Sequence, residues 1–437
     1  MTLLVISPDY ASHLYPLATL ATAWQDVDER VVVATGPATD SIVRGFGFER
    51  EHLALARGSN PGVIRAEDQP RGEDDALRGF FASTRRGAVE TLAFQAMSRG
   101  DDLLWDPVGV ARDVLRIVGT VQPDHVVVDH LAFSARLALQ SAGVRHADVV
   151  LGHPSALSVG AEVYGYPPAF PARFHTDPSA LAALKQLCER VREAFTEHWN
   201  SALRSLDPGA MATSDAFAET GDVLLLNYPV ELHPPERTAL LPAHAFLGSS
   251  VRSEARDDEV HAWLAESGPP VVYVSFGSFL SVRGDVLATV TEALRGLDVR
   301  VALASGSTPV GDLGVVPRSW LVRAVLPQVT LLQHAVLAVS HGGNNSVTEA
   351  LTAGVPLLLL PFSTDQFAGS AAIEDAGFGE ALDPNGASAT DLREAASRLL
   401  ALAGKPRSRL DALSASLVAT PGAHRARAAL DSPPERP

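Results

Sequence analysis

Short apolar runs alternate with helix-length amphipathic segments along the whole chain. Residues 3–6, 31–33, 126–128, 148–151 and 223–226 read as strands of the first half. Residues 271–275, 299–303, 336–339 and 357–360 read as those of the second. Runs this apolar suit strands covered on both faces, as in parallel α/β sheets, and the helical segments between them supply the cover. Between the halves, 227–252 ("NYPVELHPPERTALLPAHAFLGSSVR") is interrupted by prolines and has no periodicity, which predicts an interdomain linker. The pattern predicts two doubly wound domains, 1–226 and 253–431, facing across a cleft with ligands at the strands' carboxyl ends. Residues 432–437 ("SPPERP") are expected to be a disordered tail.

Length and composition narrow this picture. At 437 residues the chain is too long for one core, so two domains of about 200 residues each are expected. Hydrophobic residues make up 46% and charged ones 20%, which excludes a disordered chain. A formal charge of −16 argues against a nucleic-acid or anionic-membrane surface. Cys188 is the only cysteine, so the chain forms no internal disulfide and no thiolate metal site. The opening "MTLLVIS" lacks the basic start of a signal peptide, and no apolar stretch reaches the roughly 20 residues of a membrane span. A cytoplasmic protein, monomeric or homodimeric, is expected.

The densest chemical signal is "SHGGNNSVTEALTAGVPLLLLPFSTDQ", residues 340–366. His341 directly follows a strand. Gly342 and Gly343 permit close backbone approach, and Ser346 is expected to open a helix that stops at Gly354. A strand, a glycine turn and a helix N-terminus present free N–H groups and partial positive charge to an anion such as phosphate. Ser346 and Glu349 also spell a capping box, a purely structural role.

The order of the whole stretch resembles the donor signature of the family 1 nucleotide-sugar glycosyltransferases, which have the GT-B fold of two Rossmann-like α/β domains. The matching residues are Pro327-Gln328, His341, Gly343, Asn345-Ser346, Glu349, Gly354-Val355-Pro356, Pro361 and Asp365-Gln366. The resemblance implies that His341 and the N–H groups near Asn345 and Ser346 hold a diphosphate. It implies that Glu349 accepts from ribose hydroxyls, that Asp365 and Gln366 bond the sugar, and that the Leu326 backbone meets the base. Gly277-Ser278 resembles the family's second phosphate contact, although a plain strand-to-helix turn reads the same. Val325 stands where the family often has a base-stacking Trp, Asn344 where plant members have an aromatic, and Gly369 where they have Asn.

Glycosyl transfer to a hydroxyl needs a base for the acceptor proton. The family carries Gly-His-x-x-Pro after its first strand, with that His as base. Here His13 precedes Pro16, expected as a first-turn proline, and Ser12 replaces the Gly. A histidine base needs a partner to fix its tautomer, and Asp129, ending "HVVVD", is the candidate, with Asp124 and His130 as neighbours of other use. Phe80, Phe81, Tyr164, Tyr166 and Phe170 either line an apolar acceptor pocket of the N-terminal domain or belong to its core. The C-terminal domain is then the nucleotide-sugar domain, with its last helix folding back on the first.

Asp26-Val27-Asp28 lies at the wrong sheet edge for a metal motif, and "GHPSA" lacks the glycines of a nucleophile elbow. No cofactor and no metal are expected, the diphosphate charge being met by the helix terminus and His341. The reading is an inverting transferase that moves a sugar, from a UDP-sugar by preference, to a small, mostly apolar natural-product acceptor. A nucleotide-sugar epimerase, a phosphorylase of the same fold and a non-catalytic nucleotide-sugar-binding protein remain as alternatives.

Overall fold

The computed structural model describes residues 1–432, so all but the first residue of the expected tail lies outside the described part. The first sheet contains β1 (Thr2–Ile6), β2 (Arg30–Thr35), β3 (Glu49–His52), β4 (His125–Asp129), β5 (Ala147–Val150), β6 (Val223–Leu226) and β7 (His244–Phe246). Their spatial order is β3-β2-β1-β4-β5-β6-β7, with parallel pairing throughout. The second sheet contains β8 (Val271–Ser275), β9 (Arg300–Ala304), β10 (Leu321–Arg323), β11 (Ala335–Ser340), β12 (Leu357–Leu359) and β13 (Gly379–Ala381). Its order is β10-β9-β8-β11-β12-β13, again parallel.

Alternate residues of the central strands enter opposite cores. On β1, Leu3 and Val5 join one cluster while Leu4 and Ile6 join another. On β8, Val271 and Tyr273 face one side, and Val272 and Val274 the other. Burial on both faces explains why these strands are continuously apolar rather than alternating. Each sheet reverses its winding once, between β1 and β4 in the first and between β8 and β11 in the second. Crevices at such switch points are where open α/β sheets bind ligands.

Two sequence expectations are corrected. Residues 227–252 are not a bare linker, because β7 lies within them and closes the edge of the first sheet against β6. Pro16 does not open its helix. The helix runs Ala11–Gln25 with Pro16 inside it, so the carbonyl of Ser12, one turn back, loses its intrahelical donor. The final helix, Gly422–Asp431, returns to the first domain. Ala426 and Ala429 enter the same core as Leu3, and Arg427 bonds both oxygens of Glu29 at 2.9 and 3.0 Å.

Candidate active site

The first switch point brings together the two residues singled out for proton transfer. His13 lies in the first turn of the helix after β1, and Asp129 is the last residue of β4. Parallel pairing of β1 with β4 sets these strand ends side by side. His13 Nδ1 lies 2.7 Å from Asp129 Oδ2, and Asp129 Oδ1 accepts from the Leu131 N–H at 2.9 Å. Asp129 is fully buried, whereas the His13 side chain is 24% exposed and borders the central cavity. Burial lowers the imidazole pKa, but the charge and hydrogen bond of Asp129 outweigh it and raise His13 above the ordinary histidine value. Burial raises Asp129, and the opposite charge and bond of His13 outweigh that too, holding it below the usual carboxylate value. An ionised Asp129 can only accept, so Nδ1 carries the proton and the Nε2 lone pair is free.

The second switch point builds the anion-binding turn. Gly342, with φ of 84°, bends the chain after β11 so that a helix starts at Asn344 and runs to Thr352. Its N-cap is Gly343, not Ser346, and the alternative reading of Ser346 and Glu349 as a capping box is not realised; such a box forms at Ser388 and Asp391. The first N–H groups of the helix have no intrahelical partner and point to the cavity end. His341 is wedged between two glycines. A Cβ on Gly277 would come within 2.9 Å of its ring, and one on Gly343 within 2.5 Å. Burial pulls His341 down to about 4, so at neutral pH it is an uncharged imidazole. The helix terminus supplies positive potential that does not depend on this titration, and the imidazole supplies a ring N–H.

Glu349 lies one turn deeper and does not face the cavity. Its Oε1 accepts from Arg252 at 2.7 Å, and its Oε2 from the Gln328 amide. Burial raises its pKa against the opposing charge of Arg252. Gln328 also accepts from the Tyr273 hydroxyl at 3.2 Å and bonds Ser346 Oγ. Arg252 comes from the presumed linker and lies over the Tyr15 ring of the first domain at 5.4 Å. Nothing in its local sequence marked it. Leu326 is buried in the second domain's core, and Val325 is 62% exposed with no aromatic in its place.

One cavity of about 580 Å³ spans the cleft. His13, Gly277, Ser278, His341, Gly343, Asn345, Ser346, Asp365 and Gln366 line it, with Phe80, Tyr164 and Tyr166 on the first-domain side. Phe81 and Phe170 are corrected as acceptor-pocket candidates. Phe81 is buried at 7% exposure behind Phe80, and Phe170 packs on Phe367 of the second domain at 5.3 Å. Asp365 follows Thr364, whose φ of 50° is costly for a residue with a Cβ, and accepts from the His153 N–H across the cleft. Gln366 Oε1 already accepts from the Phe362 and Ser363 N–H groups. Ser278 is also engaged across the cleft, through the Ile64 N–H at 3.2 Å and Asn60 at 3.0 Å. Among the described residues no group of three or more His, Cys, Asp or Glu could hold a metal ion.

Two parallel doubly wound sheets, with a His–Asp pair at one switch point and a glycine turn leading into a helix at the other, define a GT-B protein. Solved structures agree on the fold. The glycotransferase of kitacinnamycin superposes with a TM-score of 0.68 at 20% identity, covering 98% of both chains. Glycosyltransferase VinC, solved in complex with DTDP, gives 0.67 at 19% identity over 99% of this chain and 98% of its own. The chain belongs to the UDP-glucoronosyl and UDP-glucosyl transferase family, whose profile matches residues 180–403. It is 28% identical to NDP-glycosyltransferase YjiC of Bacillus licheniformis over 49% of this chain. It is 30% identical to demethyllactenocin mycarosyltransferase of Streptomyces fradiae over 64% of this chain. These matches span about half of the relatives' own lengths, 54% and 57%. A match to 4'-demethylrebeccamycin synthase of Lentzea aerocolonigenes, at 26% identity, covers 92% of this chain and 91% of that protein. Among the described residues no helix is long and apolar enough to cross a membrane.

Proposed function

We propose that this protein is an inverting O-glycosyltransferase that moves a sugar from a nucleotide diphosphate, UDP by preference, to a hydroxyl of a small, mostly apolar natural product. The observation that carries the reading is the His13–Asp129 pair, 2.7 Å apart, on the cavity shared with the His341–Ser346 turn. Nε2 of His13 takes the acceptor O–H proton as that oxygen bonds the anomeric carbon. The carbon–oxygen bond to the diphosphate breaks in the same displacement, and the electron pair leaves with the nucleotide. Asp129 stabilises the imidazolium, and the helix N-terminus with the His341 N–H stabilises the leaving diphosphate. Attack opposite the leaving group inverts the anomeric centre.

Glu349 stands in the family's ribose position, but its oxygens hold Arg252 and Gln328 and do not border the cavity, so ribose hydroxyls reach it only by displacing one of these bonds. The preference for a ribonucleotide donor rests on the family resemblance at Glu349. The site needs no cofactor and no metal in this scheme. The acceptor, the sugar and a cytoplasmic location are parts of the same proposal.

The test is His13→Ala, assayed for transfer from UDP-glucose to a panel of phenols and alcohols. Turnover is expected to fall by roughly 10²–10⁴-fold, the usual share of a general base, with UDP affinity unchanged. Near-normal transfer to an alcohol of ordinary pKa, or no transfer by the wild type to any acceptor alongside tight UDP binding, overturns the reading.

A further inference from the structure

The first-domain wall of the cavity carries a guanidinium with no salt-bridge partner among the described residues, the carboxylate that feels its charge being Asp365 across the cleft. With Phe94 and Ser98 at its flanks, a central stripe of Leu92, Gln95, Ala96, Arg99 and Leu103 borders the cavity from the helix Ala88–Leu103. Spacings of three and four residues place them on one face. Folding alone favours apolar side chains along such a stripe, because an unpaired polar group beside a dry wall is costly. Two of these positions break that rule. Gln95 Oε1 is buried and accepts no hydrogen bond among the described residues. One turn on, Arg99 lies over the Tyr164 ring at 5.6 Å and forms no salt bridge among the described residues.

Other basic groups on this wall do not do the same work. Arg57 is exposed at the rim. His130 is held neutral, burial pulling it to about 4, and His13 is engaged by Asp129. Tyr164, which Arg99 covers, is itself stacked on Phe217 at 3.9 Å, so the cation stands on a rigid aromatic floor of the first domain. The anion-binding turn belongs to the opposite domain. Arg99 faces that turn from the first-domain side of the shared cavity, which is the acceptor side in the proposed scheme.

We infer that the natural acceptor carries a carboxylate, bound by the Arg99 guanidinium, with a neighbouring O–H or N–H donated to Gln95 Oε1. A planar guanidinium matches a carboxylate through two parallel hydrogen bonds, and the surrounding apolar walls strengthen the pairing. This rests on the proposed transferase reading and narrows its substrate class from apolar compounds to amphipathic acids.

The test uses 6-hydroxy-2-naphthoate and its methyl ester, which present the same phenol and differ in charge. Binding is read by quenching of tryptophan fluorescence, Trp105 being in the cavity wall, and needs neither donor nor turnover. The wild type is expected to bind the acid more tightly than the ester. Arg99→Ala should weaken the acid by about tenfold or more, the usual worth of a charged hydrogen bond, and leave the ester and UDP unchanged. Arg99→Lys, which keeps the charge, should retain most of the preference. Equal binding of acid and ester by the wild type, or equal loss of both in Arg99→Ala, overturns the inference. A loss of UDP affinity instead assigns Arg99 to the donor phosphates and overturns it as well. Tight, Arg99-dependent acid binding without transfer to either compound sinks the transferase reading alone.

Discussion

Asp129→Asn is the substitution that separates a working His–Asp base from a structural pair. The two side chains are nearly isosteric, so packing around the buried site is preserved. The hydrogen-bond pattern is not. Asp129 accepts twice, from His13 Nδ1 at 2.7 Å and from the Leu131 N–H at 2.9 Å. Asparagine has one acceptor. If its oxygen stays with Leu131, its NH2 faces Nδ1, which must then become the acceptor. The ring proton moves to Nε2, and the lone pair that faced the acceptor hydroxyl is lost.

The charge disappears with the pattern. An opposite charge within hydrogen-bond reach is worth about 1–3 pKa units, and Asp129 is what lifts His13 above its ordinary value against burial. The active form is the neutral imidazole, so activity of the wild type should rise with pH through that raised pKa. In the variant the plateau should fall by roughly 10²–10⁴-fold, and the acidic limb should move down by about 1–3 units. The assay is kcat/KM for transfer from UDP-glucose to a phenol of high pKa across pH 5–9, with UDP affinity and thermal melting as controls. A plateau near the wild-type level with an unmoved limb refutes the assignment of Asp129 to the base.

Gly343→Ala should weaken UDP binding by about tenfold, because the new Cβ would sit 2.5 Å from the His341 ring and turn it out of the phosphate site; isothermal titration checks this. Glu349→Gln should reduce the preference for UDP-glucose over dTDP-glucose, expected at roughly 5- to 150-fold, to near parity in a competition assay. UDP affinity of Arg252→Met should become pH-dependent. Burial already raises the Glu349 pKa and Arg252 opposes it, so without Arg252 affinity should be lost at a higher pH as the solution is acidified. Incubation with EDTA should leave activity intact; loss restored by Mg²⁺ or Mn²⁺ refutes the metal-free scheme.

The nine strands legible in the sequence are the nine interior ones, and the four missed are the four sheet edges: β3, β7, β10 and β13. An edge strand needs no apolar run because one flank is open to solvent or cover. β3 reads Glu-Arg-Glu-His, and the other three have three residues each. The site was legible where one residue must stand at one strand end: His13, Asp129, His341 and the glycines beside it. It was not legible where a side chain arrives from a distant segment. Arg252 on Glu349 is separated by 97 residues, and Arg99 had only a helical stripe to mark it. Phe80 and Phe81 show the limit of local pattern: adjacent aromatics on one helix part company, one to the cavity and one to the interior.

The residues read as donor contacts also hold the two domains together, and Pro16 shows how the two duties meet. A proline inside a helix costs about 3 kcal/mol because it removes one backbone hydrogen bond and crowds the carbonyl one turn back. Here that carbonyl is Ser12 O, beside His13, and it accepts from Asn345 Nδ2 of the opposite domain at 3.0 Å. Asn345 Oδ1 in turn accepts from Asn227, while Asn344 donates to Leu151 O and Asn227 O, both at 2.8 Å. The helix that presents its N-terminus to the cleft is therefore tied through Asn345 to the turn that presents the base, and through Asn344 to the chain just after β5 and β6. A hydrogen bond tolerates only a few tenths of an ångström before it weakens. A base in one domain and an anion site in the other must hold near-attack geometry to a similar margin. A carbonyl has two lone pairs, so the proline does not create this bond; it removes the competing backbone donor and leaves Ser12 O to the contact that registers the two halves of the site.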